Sequence, residues 1–173
     1  MSERVAVFID GSNLYHCLKD ECSKVNVDFA KLAEVLRDGR KLIRTYYYNA
    51  VVSQQDDAQR HRNQQRFFEK LRNASYLELR LGRLERRGNT YVEKGVDVQI
   101  ATDMIRGAHQ DAYDTAILVS GDADFAPAVQ LVKDFGKHVE NAFCRTGLSR
   151  HLQQTCDRFI LLDAAKLGLC WIV

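Results

Sequence analysis

The sequence predicts a single α/β domain whose central sheet is mostly parallel and flanked by helices. Two runs, RVAVFI at 4–9 and DTAILVS at 114–120, are short with uninterrupted apolar interiors, as strands buried on both faces are. Strand-like segments alternate with helix-like ones along the chain, which is the order of a parallel sheet with crossover helices. No internal repeat, low-complexity tract or linker interrupts this alternation. With 173 residues, one domain over 1–173 is the expectation.

The first run stops at Asp10-Gly11-Ser12-Asn13, and a helix is expected through Leu14, Tyr15 and Leu18. Asp28 can cap a second helix, with Phe29, Leu32, Ala33, Val35 and Leu36 as its apolar stripe and Gly39 at its end. Residues 41–52 read as the second strand. Ser53 is the expected cap of a long polar helix, in which Phe67, Phe68 and Leu71 supply most of the apolar surface. Leucines alternate with charged residues from Tyr76 to Leu84, a strand pattern, and Arg87-Gly88-Asn89 is turn chemistry leading to a returning strand at 91–93.

Gly95-Val96-Asp97 opens the next helix, with Val98, Ile100, Ala101, Met104 and Ile105 as its apolar side. The second apolar run then ends in Gly121-Asp122-Ala123-Asp124. Pro127, the only proline, fits the first turn of the helix that follows, where a missing N–H costs little. Gly136 ends that helix, 137–143 is a strand, Ser149 caps a short helix and 159–162 is the last strand. The apolar tail, 164–173, can pack on the body or on a second copy, so a homodimer is one expected arrangement.

Composition narrows the function classes. No apolar run approaches the roughly 20 residues that span a bilayer, and the first residues lack the pattern of an export signal. A cytoplasmic protein without a membrane partner is expected. The five cysteines, 17, 22, 144, 156 and 170, contain no C-x-x-C pair, and reduced thiols are the expectation. The net charge of +2 conceals an asymmetry: residues 60–94 hold ten Lys or Arg against four Glu, giving +6 there and −4 elsewhere. Arg60, Arg62, Arg66, Arg83, Arg86, Arg87 and Lys94 are the candidate contacts to a nucleic-acid backbone. The five histidines are dispersed, and Tyr46-Tyr47-Tyr48 offers aromatic rings for base stacking with at least one turned into the core.

In open α/β sheets ligands gather beyond the carboxyl ends of the strands, where strand order reverses. Asp10 and Asp122 each follow a buried run, and they share one crevice if their strands are neighbours at that reversal. Asp97 opens the helix leading to the second of those strands, and Asp124 lies beside Asp122. Clustered carboxylates raise one another's pKa, and a divalent cation relieves the repulsion. Oxygen donors suit Mg²⁺ or Mn²⁺, and such a site suits phosphodiester hydrolysis. Ser12, Asn13 and Ser120 are polar neighbours, and Gly11 and Gly121 would let the backbone turn sharply beside the acids. Asp103, six residues beyond Asp97, lies on another helix face and is assigned a supporting role at most.

Three blocks, VAVFIDGSNLY, EKGVDVQIATDMIRGA and YDTAILVSGDADFAPAVQLVKDFGKHVE, resemble in order and spacing the signature blocks of the NYN domain family, in its LabA-like branch. The resemblance runs over about 4–163. It implies a PIN-like, Rossmann-like fold and a Mg²⁺- or Mn²⁺-dependent ribonuclease site acting on RNA, single-stranded or structured. It also implies that Asp10, Asp97, Asp122 and Asp124 are metal ligands, that Asn13 is a polar companion of Asp10, and that Ser12 and Ser120 lie alongside. A non-catalytic RNA-binding module using the same pocket is the alternative, and a nucleotide phosphatase ranks below it because the basic surface exceeds what a mononucleotide needs.

Overall fold

The computed structural model describes residues 2–88 and 90–172; Asn89 of the expected turn lies outside the described residues, as do Met1 and Val173. The chain runs β1 (Arg4–Asp10), α1 (Gly11–Cys22), α2 (Phe29–Arg37), β2 (Lys41–Val51), α3 (Ala58–Arg72), β3 (Leu77–Arg87), β4 (Thr90–Lys94), α4 (Val96–His109) and β5 (Thr115–Val119). A 3-10 turn (Ala123–Phe125), α5 (Ala126–Asp134), β6 (His138–Phe143), α6 (Arg150–Thr155), β7 (Arg158–Leu161) and α7 (Ala164–Gly168) complete it. The expected fold class is therefore the one observed: a PIN-like α/β domain.

The sheet order is β4-β3-β2-β1-β5-β6-β7, parallel throughout except for the β3–β4 hairpin. From β1 the chain steps one way through β2 and β3, crosses back through α4, and steps the other way through β5, β6 and β7. Crossovers of one hand taken in opposite directions place their helices on opposite faces. One face accordingly carries α1, α2, α3 and α7, and the other carries α4, α5 and α6. The reversal lies between β1 and β5, whose residues Val5–Ile9 pair with Thr115–Val119.

Strand alternation divides β1 between the two cores. Val5, Val7 and Ile9 join Leu14, Leu18, Leu32, Leu36, Phe68 and Leu71. Ala6 and Phe8 join Ile100, Met104, Val129, Val132 and Leu152 on the other side. A strand covered on both faces gains from apolar residues at every position, which is why its sequence shows no polar alternation.

The expected helix cap is corrected. The cap of α3 is Asp57, whose Oδ1 accepts the Arg60 N–H at 2.8 Å; Ser53 instead closes a preceding turn by accepting the Gln55 N–H at 3.2 Å. On α1, the helix expected there, Tyr15 is 46% exposed. As expected of at least one of the three adjacent tyrosines, Tyr47 and Tyr48 are buried, so these two cannot stack on bases. Tyr48 is further held by donating its hydroxyl to Asp103 Oδ2 at 2.9 Å.

Cys17 and Cys144 form a disulfide with Cα atoms 6.3 Å apart, against the expectation of five reduced thiols. The fold causes this pairing: α1 packs Cys17 into the core that also receives Cys144 just after β6. The tail packs on its own body, with the Asp28 N–H donating to the Cys170 carbonyl and Lys24 over the Trp171 ring. No helix among the described residues is long and apolar enough to cross a membrane.

Candidate active site

Asp10 ends β1 and caps α1. Its carboxylate is almost fully buried, with Oδ1 accepting the Asn13 backbone N–H at 3.0 Å and Oδ2 accepting the Ser120 hydroxyl at 3.2 Å. Burial pushes its pKa up to about 7. The Asn13 N–H and the Ser120 hydroxyl oppose that rise, and the neighbouring Glu93 and Asp97 add to it.

The loop after β5 is tied to the loop after β1. Gly121 donates its N–H to Asn13 Oδ1 at 2.8 Å, Asp122 donates its N–H to Ser120 Oγ at 3.2 Å, and Asp122 Oδ1 accepts the Asp124 N–H at 2.9 Å. The sheet reversal and these bonds place Asp10 and Asp122 on one rim. Asp122 caps the 3-10 turn through Oδ1, and Asp124 is exposed beside it.

The glycines here answer a need for space, since neither takes the positive φ that a sharp turn would demand. A Cβ on Gly11 would lie 2.4 Å from the Tyr47 ring and 2.6 Å from the Tyr48 carbonyl oxygen. One on Gly121 would lie 2.3 Å from the Gly147 carbonyl oxygen. The absence of side chains lets α1 and the β5 loop close down on the strand ends.

Asp97 sits in the first turn of α4, and the cap of that helix is Gly95, so Asp97 is not needed as a cap. Partial burial raises its pKa, and Asp122 and Asp124 raise it further. Glu93 is the acid that sequence reasoning missed. It lies on β4, half-buried; burial raises its pKa, the nearby Ser12 hydroxyl opposes the rise, and Asp97 adds to it. Its only sequence signal is its place one residue before Lys94-Gly95-Val96-Asp97. In a hairpin rich in charge it reads as a solvated position.

The structure thus brings together Asp10, Ser12, Asn13, Glu93, Asp97, Ser120, Asp122 and Asp124. Asp103 lies apart, engaged by Tyr48, by Arg106 at 2.7 Å and by Arg80 at 3.7 Å, and it braces α4 against β2 and β3. The basic residues fall into two groups. Arg60, Arg62 and Arg66 are exposed on α3, while Arg83, Arg86, Arg87 and Lys94 lie on the β3–β4 hairpin. Arg83 pairs with Glu85 at 3.3 Å and Arg86 approaches Asp56 at 3.9 Å, both weak contacts at an exposed surface.

The oxygen-rich donor set has the chemistry that Mg²⁺ or Mn²⁺ prefers. Among the described residues no three His, Cys, Asp or Glu side chains converge closely enough to form a cage. A hard cation at this rim would be held by one or two carboxylates and would complete its shell with waters and substrate oxygens. Asp10 and one further acid of the rim would hold it.

The NYN domain family model matches residues 4–163. The chain belongs to the NYN domain family. Its members form a nuclease-like, PIN-like group, and the expected resemblance is confirmed. This NYN domain is 28% identical over 170 residues to the low amplitude and bright protein LabA of Synechococcus elongatus, covering 92% of this chain and 84% of that one. It is also 28% identical over 159 residues to an uncharacterized Methanocaldococcus jannaschii protein, covering 91% of this chain and 54% of that one. Among solved structures, a Vibrio parahaemolyticus protein of unknown function superposes with a TM-score of 0.74 at 27% identity, covering 94% of each chain.

Proposed function

We propose that this NYN domain is a divalent-metal-dependent endoribonuclease that hydrolyses RNA phosphodiester bonds at the Asp10 rim. The observation that carries the reading is the gathering there of acids with no cationic partner among the described residues; burial raises Asp10, Glu93 and Asp97, and neighbouring acids, Asp122 and Asp124 included, add to the rise. Such repulsion persists in a fold when a cation or a developing positive charge offsets it. When bound, Mg²⁺ or Mn²⁺ supplies charge stabilisation at the leaving oxygen and a water of lowered pKa.

The chain's own groups have separate tasks. The Asn13 N–H and the Ser120 hydroxyl fix the Asp10 carboxylate, so its orientation need not be set by the ligand. Asn13 spends its carbonyl oxygen on Gly121, which leaves its amide N–H groups to meet a phosphate oxygen. The Asp124 N–H orients Asp122. Arg60, Arg62 and Arg66 on one side and Arg83, Arg86, Arg87 and Lys94 on the other would hold the backbone of single-stranded or structured RNA, with salt-dependent affinity.

The test is cleavage of internally labelled RNA with Mg²⁺ or Mn²⁺ by the wild type, Asp10→Asn and Asp122→Asn. Internal cuts by the wild type and none by either variant are expected. Activity that survives both substitutions removes the site. The open spacing of the carboxylates favours a second reading, RNA binding at the same rim without turnover. Salt-dependent RNA binding lost on reversing Arg83, Arg86 and Arg87, with no cleavage in either metal, would select it.

A further inference from the structure

A groove of about 400 Å³ opens between the start of α1 and α3, on the sheet face opposite α4. Its lining includes Ser12, Tyr15, Asn49, Arg60, Asn63 and Phe67. The volume is that of a small-molecule site. Ser12 belongs to both the groove and the acidic rim, since it lines the groove and stands in the first turn of the helix that Asp10 caps. The groove therefore leads directly off the carboxylates.

Its walls differ in kind from the rest of the rim. Phe67 is half-buried and held edge-on by Phe29 and Tyr47, with ring centroids 6.1 and 5.7 Å away, so it is a fixed apolar wall. Tyr15 is 46% exposed, and its one aromatic neighbour among the described residues, His16, meets it edge-on at 5.5 Å. Its ring face is thus open to a flat partner. A phosphate or sugar gains little from two aromatic walls, whereas every nucleobase has a π-face that stacks on them.

The polar groups divide into committed and uncommitted ones. Gln64 ties α3 to β2, accepting the Val52 N–H at 2.9 Å and donating to the Ala50 carbonyl at 2.8 Å, so the groove is braced. Asn49 accepts the Ala50 N–H at 2.8 Å and donates to the Tyr47 hydroxyl oxygen at 3.2 Å. Asn63 gives its carbonyl oxygen to the Gln59 side chain at 3.0 Å and keeps its amide N–H groups. Arg60 bonds Asp57 through its backbone N–H, and its guanidinium makes no ion pair among the described residues. What the groove offers a ligand is donors beside an aromatic face. Of the base edges, the O6/N7 edge of guanine presents two adjacent acceptors.

We infer that this groove is a nucleobase subsite, selective for guanine, that seats a base of the RNA strand beside the bond to be cut. The inference rests on the proposed ribonuclease reading for its ligand, and its test is arranged to fail separately. In a first arm, GMP, AMP, CMP and UMP are titrated into the whole protein by NMR or fluorescence. GMP is expected to bind about tenfold more tightly than the others. Tyr15→Ala should weaken all four by roughly tenfold through lost stacking, and Asn63→Ala should narrow the preference for GMP. Tyr15 and Asn63 are exposed, and circular dichroism checks that each variant is folded.

In a second arm, uniform single-stranded RNAs carrying one G, A, C or U are cleaved. Cutting next to G is expected in the wild type, with the bias reduced in both variants. Equal affinity for the four mononucleotides, unchanged by Tyr15→Ala, overturns the subsite, as does base-indifferent cleavage. If no RNA is cut, the nuclease reading fails, and the mononucleotide arm alone decides the groove.

Discussion

The two ends of the sheet treat acidic residues in opposite ways. At the amino ends of the strands Glu3, Asp111, Asp114, Glu140 and Asp157 all have cationic partners. Arg4 engages Asp114 at 2.7 Å and Asp111 at 2.9 Å, and Arg40 grips Glu140 with two bonds of 3.0 and 2.8 Å while reaching Glu3 at 3.2 Å. Lys133 meets Asp157 at 3.0 Å, and Lys137 meets Asp111. The Arg4 side chain holds Asp114 down at about 2, the Thr115 hydroxyl and Arg40 lower Glu3, and Asp157 is lowered despite its burial. At the carboxyl ends Asp10, Glu93 and Asp97 are all pushed up, by burial and by one another. A fold that neutralises its acids at one end and crowds them at the other stores an electrostatic cost where a ligand can relieve it.

Removing a member of each set sharpens the contrast, and the largest effect expected is on turnover. Asp10→Asn should lower RNA cleavage by about 100-fold or more, since even the partners of a metal ligand typically contribute 10–100-fold. Single-turnover rates in Mg²⁺ and Mn²⁺ measure it. Next, Arg40→Ala leaves the largely buried Glu140 with only the exposed Arg158 at 3.5 Å and should cost about 2–3 kcal/mol in a urea titration. A loss below about 1 kcal/mol would mean that the amino end is not held by its pairing.

The carboxyl end should respond with the opposite sign. Asp10 titrates near 7 in the fold against 3.8 ordinarily, so the folded chain holds the extra proton between those values. Stability therefore falls as pH rises from about 4 to 7. Asp10→Asn removes that loss and should be more stable than wild type by about 2–4 kcal/mol at pH 8, with no gain near pH 4. Asparagine can still accept the Asn13 N–H, so the helix cap is kept. The smallest effect concerns Asp114. Its folded value of about 2 lies below the ordinary one, so its contribution is present above about pH 4 and is lost as pH falls towards 2. Asp114→Asn should lower Tm slightly at pH 7, and the difference should close by pH 2.

How much of this was legible beforehand depended on whether the signal was local. Asp10 and Asp122 were visible because each follows an apolar run, and a buried parallel strand has few other ways to look. Their pairing required only that β1 and β5 meet at the reversal. Glu93 was hidden because its role depends on the antiparallel register of β3 and β4, in which Glu93 faces Leu84, and on the path of β4 into α4. The Cys17–Cys144 pair spans 127 residues, a separation over which sequence carries no pairing signal. Ser53 and Asp57 both suit a helix cap, and only the turn between them decides for Asp57. Tyr46-Tyr47-Tyr48 stand out as three rings in a row, yet the exposed ring beside the acidic rim is Tyr15, a single tyrosine on α1 whose sequence neighbours do not mark it.

The central claim, that the crowded carboxylates form a cation site, is tested most directly by titrating Mn²⁺ into wild type and Asp10→Asn at pH 7.5 and following thermal unfolding. A ligand that binds only the folded state raises Tm by mass action. The account predicts a saturable rise for wild type and none for Asp10→Asn, with Arg40→Ala, a lesion at the other end of the sheet, responding to Mn²⁺ as wild type does. Equal rises in wild type and Asp10→Asn, or no rise in either, would contradict it.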